Sequence, residues 1–384
     1  MKTIGLCMIV RNESHVIERS LDSVRPLVDY VLIEDTGSSD NTQAIIKEWL
    51  DRNDMPGNVY HEPWQNFAYN RSNVLARLRK RKPDIDYALM MDADDQLVVD
   101  DGFDVEAFKS GLDKDVYNVE IRQGTTHYYR LQMCSNHKPF RYRSVLHEYI
   151  HLPPGAGPAK DAKGFHVISG REGARNKDPR KYHKDAEVLE RALRFEKDPF
   201  LQSRYVFYLA QSYRDAGEKE KALANYIKRS QMGRWQEEVY VSLYNAAKLE
   251  EALEWPFDAV LSAYKNAAKV LPGRIEALHG GSRLCRIAKR YQDGYKLAKQ
   301  GLTVEKAPEG LFVQHWIHDY GLLDEFAVNA YWVDEFEESL RACERLLDEG
   351  KMPEDMRERV EKNADFAREK IRNASLSAAN FVKA

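Results

Sequence analysis

Tyr87-Ala88-Leu89-Met90-Met91-Asp92-Ala93-Asp94-Asp95 is an apolar run that stops abruptly in carboxylates. Residues i and i+2 of an extended segment point the same way, so Asp92 and Asp94 share one face. Two carboxylates set side by side repel unless a cation sits between them. A hard divalent ion with oxygen ligands and positions open to phosphate is the usual answer. The plainer reading is that Asp94 and Asp95 cap a turn. Upstream, Val31-Leu32-Ile33-Glu34-Asp35 is a second strand with an acidic end, followed by Thr36-Gly37-Ser38-Ser39-Asp40-Asn41-Thr42. Ser39 or Asp40 suits a helix cap. Asp35 instead falls at a strand's carboxyl edge, where open α/β sheets bind ligands.

Outward from these two stretches, the first ~170 residues alternate short apolar strands with amphipathic helices. Strands are expected at Ile4–Val10, Val28–Ile33, Val59–His61, Tyr87–Met91, Val116–Ile121 and Tyr128–Cys134. Helices are expected at Glu13–Val24, Asn41–Trp49 and Phe67–Lys80. His151–Lys163 is dense in Pro and Gly and reads as a loop, a candidate cover over a bound ligand.

From about Asp178 the pattern becomes helix after helix. A 34-residue helix-turn-helix period with its turn at Gly217 puts Leu209, Ala210, Tyr213, Ala222 and Tyr226 at inter-helix contacts. Tyr264, Ala267 and Pro272 fit the end of another unit, and Ala327, Ala330, Ser339 and Cys343 fill the same slots later. These are degenerate tetratricopeptide-like repeats, which bury their apolar faces only by stacking. The expected division is a mixed α/β domain over 1–175 and an all-α repeat domain over 176–384.

Composition agrees with a globular chain: of 384 residues, 43% are hydrophobic and 31% charged, with a formal net charge of −3. That balance gives no field for non-specific nucleic-acid binding. The 4 cysteines are scattered without a C-x-x-C pair, so neither a disulfide framework nor a zinc site is indicated. The N-terminal apolar run is too short for a membrane span, and a cytoplasmic protein is expected. Arg77–Lys82 (RLRKRK) reads as a solvated helix end rather than a nucleic-acid patch. His315 and His318 have i, i+3 spacing without a third ligand, so packing is the better account.

Met8-Ile9-Val10-Arg11-Asn12-Glu13-Ser14, the Ile33–Thr42 stretch, Trp64-Gln65-Asn66-Phe67-Ala68-Tyr69-Asn70-Arg71-Ser72-Asn73 and the Leu89–Leu97 stretch resemble, in this order, family 2 glycosyltransferases of the GT-A fold. The resemblance covers roughly residues 2–170. It implies that Asp35 contacts the base or ribose of a nucleotide donor beside the backbone of Ile9 and Val10. Asp92 would hold the ribose or orient the site, and Asp94 would ligate Mn²⁺ or Mg²⁺ on the diphosphate. Arg11 and Arg71 would pair with phosphate or fix Asp35 and Asp92, and a purely structural role for Arg71 stands beside these.

In Phe140–Tyr149, a stretch similar to one in related enzymes, Glu148 is the candidate general base for an inverting displacement. His147 would orient it or reach the diphosphate, and Asp95 is the fallback base. His166 is a candidate to complete the metal shell, against the commoner reading of a structural histidine. The donor implied is a nucleotide sugar, a UDP-sugar in the leading case. The two-part layout is similar to bacterial peptide S- and O-glycosyltransferases of the sublancin type, which points to a peptide, protein or glycan acceptor ahead of nucleic acid. The repeats would recognise that acceptor or pair two chains as a homodimer. Two other readings stay open: a scaffold whose α/β domain binds nucleotide without turnover, and a glycosyltransferase acting on a modified nucleobase.

Overall fold

A computed structural model of the chain describes residues 1–124, 126–304 and 310–381. It divides into two compact units, Met1–Glu196 and Lys197–Ala384. The expected change at 175/176 instead marks the end of the strand-bearing part, because one further helix stays with the first unit.

The first unit holds β1 (Ile4–Val10), α1 (Ile17–Val24), β2 (Tyr30–Asp35), α2 (Thr42–Arg52), β3 (Gly57–His61), α3 (Phe67–Arg81) and β4 (Tyr87–Met90). There follow β5 (Gln96–Val99), α4 (Val105–Ser110), β6 (Val116–Gln123), β7 (Thr126–Ser135), β8 (Arg141–Arg143), β9 (Tyr149–His151), β10 (Lys160–Ile168) and α5 (Lys181–Leu193). Eight strands form one sheet in the order β3-β2-β1-β4-β7-β6-β10-β5, and β8 pairs with β9 apart from it. β1, β2, β3 and β4 are parallel. β7 runs against both β4 and β6, β10 runs with β6, and β5 runs against β10. Strand alternation sends Leu6, Met8 and Val31 into one apolar layer and Cys7, Leu32 and Met90 into the other. Such two-sided burial produces continuous apolar runs, as in β1 and β2.

Strand direction sorts the loops by edge. The carboxyl ends of β1, β2 and β4 lie together, since Val10 pairs with Asp35 and Cys7 with Met90. The Pro/Gly-rich loop lies elsewhere. It spans 152–159 and leads into β10 at Lys160, which pairs with Tyr117 near the start of β6. Asp115 accepts from Gly157 N at 3.0 Å, and Lys138 Nζ donates to the Gly155 carbonyl at 3.0 Å. This is the amino edge, opposite Asp35 and Asp94, so that loop does not cover the acidic strand ends. The end of the basic run falls there too: Asn136 Nδ2 donates to the Lys82 carbonyl at 3.0 Å just before β4 begins. The run's first residue, Arg77, reaches instead toward the acidic end of β2, pairing with Glu34.

The second unit is a file of helices: α6 (Pro199–Asp215), α7 (Lys219–Ser230), α8 (Gln236–Ala252), α9 (Phe257–Val270), α10 (Glu276–Ile287), α11 (Tyr291–Gly301), α12 (Leu322–Tyr331), α13 (Phe336–Glu349) and α14 (Arg357–Phe381). Each packs mainly on the next in sequence. The small-residue slots are buried: Ala210, Ala222, Ala267, Ala327, Ala330, Ser339 and Cys343. Ser339 Oγ donates to the Ala327 carbonyl at 2.8 Å, binding α13 to α12. Trp316 packs edge-on to His279 at 5.0 Å, as expected of a packing role for the 315–319 stretch. Among the described residues no helix is long and apolar enough to cross a membrane.

Close helix approach should resist even a methyl group. A Cβ at Gly280 of α10 would lie 2.4 Å from Tyr264 Cε1 on α9. Alanine gains ~1 kcal/mol of helix propensity, whereas overpacking costs ~1–3 kcal/mol. Gly280→Ala is expected to lower stability to urea by about 1 kcal/mol, and an equal or raised midpoint would refute tight packing at this slot.

Candidate active site

The site grows from the carboxyl edge. β1 leads into Arg11 and Asn12, and Asn12 takes the left-handed conformation (φ 58°) that asparagine tolerates well. Asn12 N donates to Ser38 Oγ at 2.9 Å and Ser39 N to Asn12 Oδ1 at 2.8 Å. Asp40 accepts from Thr42 N at 3.1 Å and from Ser14 N at 3.2 Å. The serines and Asp40 of the second acidic stretch therefore knit the two strand-end loops together.

Asp35 is fully buried. Its Oδ1 accepts from Gly37 N at 2.8 Å and Ser38 N at 2.7 Å, while Oδ2 is buried without a partner. A buried acceptor left unpaired costs ~1–3 kcal/mol, so it marks a place where a ligand donor belongs. Val10 lies beside it with its carbonyl taken by Thr36 N at 2.9 Å. Arg11 is exposed at the same edge.

The asparagine-rich stretch before and within α3 is a positioning device. Asn66 caps α3 by accepting from Tyr69 N at 2.9 Å. Asn70 is buried, accepting from Gln65 N at 3.0 Å and donating to the Pro63 carbonyl at 3.2 Å. These contacts seat Arg71, whose guanidinium pairs with Asp92 Oδ1. Arg71 Nε also lies 2.8 Å from Glu148 Oε1, an ion pair without hydrogen-bond alignment. Its CZ stands 5.6 Å from the Tyr142 ring centroid. Arg71 is thus held between Asp92 and Glu148. Arg77 is likewise consumed, by Glu34 at 2.6 Å and Glu62 at 2.8 Å.

The acids of the 92–95 turn differ sharply. Burial alone would raise Asp92, but Arg71, Arg130 and Arg175 more than offset it and hold the carboxyl below its usual range. Burial first, then the charge of Asp92, pushes Asp95 up to about 7. Asp95 is buried, and its Oδ1 accepts from Gly170 N at 3.2 Å. Asp94 is half-buried, and its Oδ2 accepts from Gly173 N at 2.9 Å. Among the described residues no three His, Cys, Asp or Glu side chains are grouped to hold a metal. A divalent ion would rest here on one carboxylate, completing its shell with diphosphate oxygens and water, a donor set typical of Mg²⁺ with phosphates. The residues fit that arrangement.

Glu148 follows the exposed His147, whose backbone is left-handed (φ 51°), as is that of Ser144 (φ 83°). Such conformations concentrate at functional sites. His166 is not brought to Asp94. It pairs with Val98 across β10 and β5, and its ring lies 3.2 Å from Arg122 and 3.5 Å from Asp100. The residue that meets the acidic turn is Gly170, about 13 Å further along an extended chain. The buried imidazole serves that local polar group.

Several residues at the site carry no sequence motif. Arg130 of β7 acts on both Asp92 and Asp95, with its Nε buried and unpaired. Glu13 accepts from Ala174 N at 3.2 Å and senses Asp94. Strand alternation toward the carboxyl edge is the signal that would have flagged Arg130.

Acidic residues gathered at the carboxyl edge of the parallel strands thus form the candidate site of a mixed α/β domain. Residues 6–157 match the family model of glycosyl transferase family 2. A TPR repeat-containing protein of Synechococcus elongatus is 30% identical over 158 residues, which is 39% of this chain and 36% of that protein. The chain thus spans about a third of that relative's length. Among solved structures, S. aureus TarS 1–349 in complex with UDP-GlcNAc is 13% identical, covering 66% of this chain and 88% of that one, with a TM-score of 0.38. A tetratricopeptide repeat protein from Parabacteroides merdae is 19% identical, covering 53% of this chain and 72% of that one, with a TM-score of 0.37. Scores this low decide nothing by themselves.

The raised Asp95 sets a pH signature. Below about pH 4 its carboxyl is protonated in folded and unfolded chains alike. As pH rises toward about 7 only the unfolded chain ionises, so this group progressively weakens the fold. Asp95→Asn should therefore gain stability over the unmodified chain, by up to ~4 kcal/mol, between pH 4 and 7. Parallel denaturation profiles for the two proteins would contradict the buried-acid account.

Proposed function

We propose that the N-terminal unit transfers a sugar, with inversion, from a uridine diphosphate sugar to an acceptor hydroxyl or thiol that the helical unit helps to recognise. The observation that carries this is the buried, unpartnered Asp35 Oδ2 at the same sheet edge as the 92–95 turn. One free oxygen beside two satisfied backbone contacts suits a single N–H donor such as uracil N3–H.

Asp35 and the β1 backbone hold the base. Asp94 faces the diphosphate with Mn²⁺ or Mg²⁺, which when bound supplies Lewis-acid stabilisation of the charge growing on the leaving oxygen. Arg71 holds Asp92 and Glu148 in fixed relation. Arg130 adds positive potential beside the turn. Glu148, half-buried and facing Arg71 from outside the turn, takes the acceptor's proton as the acceptor atom bonds to the anomeric carbon. The nucleoside diphosphate departs from the opposite face, so one bond forms and one breaks with no enzyme-bound intermediate. Asp95 is the weaker candidate base, because it is buried and bound to backbone N–H groups. The helical unit is proposed to bind a peptide, protein or glycan acceptor.

Calorimetric titration with UDP and GDP tests the donor site. Asp35→Asn should weaken UDP binding ~10-fold or more, and unchanged affinity would remove Asp35 from the site. Glu148→Gln should keep UDP binding but slow transfer ~10²–10⁴-fold, followed by mass spectrometry across nucleotide sugars and acceptors. Near-normal transfer would exclude it as the base, and tight binding with no turnover on any acceptor would favour the scaffold reading.

A further inference from the structure

Residues 169–177 lie across the acidic turn and grip it through backbone amides. Gly170 N donates to Asp95 Oδ1 at 3.2 Å, Gly173 N to Asp94 Oδ2 at 2.9 Å and Ala174 N to Glu13 Oε1 at 3.2 Å. The Glu172 carbonyl lies 2.8 Å from His15 Nε2, and the Glu172 carboxylate pairs with Arg19 at 2.5 Å. The approach is close at two glycines. A Cβ at Gly170 would lie 2.1 Å from the Asp94 carbonyl oxygen, and one at Gly173 would lie 2.9 Å from Asp94 Oδ2. Gly173 has an ordinary backbone (φ −54°), so a side chain there would have to push the Asp94 carboxylate aside rather than strain a turn.

This places an N–H on the carboxylate that the proposed chemistry assigns to a cation. A divalent ion sits ~2.0–2.2 Å from such an oxygen, where the partial positive charge of an amide at hydrogen-bond distance opposes it. Both draw on the same carboxylate, the amide at its Oδ2. Leaving the turn costs the segment little apolar burial, since Arg171, Glu172, Arg175, Asn176 and Lys177 are exposed. Its far end is anchored, with Arg175 paired to Asp185 and stacked 4.7 Å over Phe67.

We propose that residues 169–177 form a displaceable strap that holds Asp94 in place of a divalent cation and lifts from it when Mn²⁺ binds. This rests on the donor-site reading above. The strap keeps the acidic turn from collapsing or capturing stray cations in the unloaded chain, and its release couples cation loading to opening of the diphosphate site.

The test uses the full chain, with Mn²⁺ binding followed by electron paramagnetic resonance, with and without UDP, and hydrogen exchange followed at the 169–177 amides. Mn²⁺ should accelerate exchange at Gly173 and Ala174. Gly173→Ala, which crowds the strap off Asp94, should bind Mn²⁺ on the order of tenfold more tightly, a ratio equal to ~1.4 kcal/mol. Asp94→Asn should abolish the exchange response. If Mn²⁺ binds while exchange and the Gly173→Ala affinity stay unchanged, the strap is overturned and the donor site stands. If UDP binds and Mn²⁺ does not, strap and cation role fall together. Should Gly173→Ala fold poorly, the exchange measurement on the unmodified chain decides alone.

Discussion

The site hangs on the buried guanidinium of Arg71. Arginine keeps its proton under all ordinary conditions, so it is tolerated inside a protein only with anionic partners. Here the partners come from distant segments: Asp92 from the turn after β4 and Glu148 from the loop before β9. One side chain on α3 thus fixes the relative position of two acids that the chain places 56 residues apart. Breaking a buried pair of this kind by removing one partner typically costs ~3–5 kcal/mol, because the remaining charge is stranded.

That cation also divides labour among the acids of the turn. Asp92, closest to Arg71, stays ionised and serves as a structural anion. Asp95, buried and facing the charge of Asp92, is pushed toward neutrality and clamps the turn through backbone contacts. Asp94 is left as the half-open carboxylate with chemistry to spare. Three chemically alike residues in four positions thereby acquire three roles through burial and neighbouring charge alone.

What the sequence made legible follows from where burial imposes a pattern. β1 was expected over Ile4–Val10 and is observed there, because both faces of that strand are buried and its apolar run is unbroken. α1 begins at Ile17 rather than Glu13, since residues 12–14 are occupied joining the two strand-end loops. β5 and α4 were not expected, and neither has the continuous apolar run that a doubly covered strand produces. At the site, the acidic strand ends were visible as local motifs. Arg130, Glu13 and the strap glycines were not, because their roles arise from contacts such as Gly173 with Asp94, 79 positions apart. His166 misled for the complementary reason: residue type suggests a ligand, but register decides which neighbours it meets.

Strand direction explains why the most conspicuous loop outside the acidic stretches proved peripheral. Segments leaving the carboxyl ends of the parallel strands begin beside a ligand held at Asp35 and Asp94. The Pro/Gly-rich loop enters β10 at its start, so it belongs to the opposite edge, as does the end of the basic run at Lys82. The strap leaves β10 at its carboxyl end and arrives at the acidic turn by geometry, with an inconspicuous sequence. For a cover over this crevice, edge is therefore a stricter criterion than loop composition. A segment can be rich in glycine and proline and still be excluded by topology, whereas two glycines at 170 and 173 suffice when the chain already passes within hydrogen-bond reach.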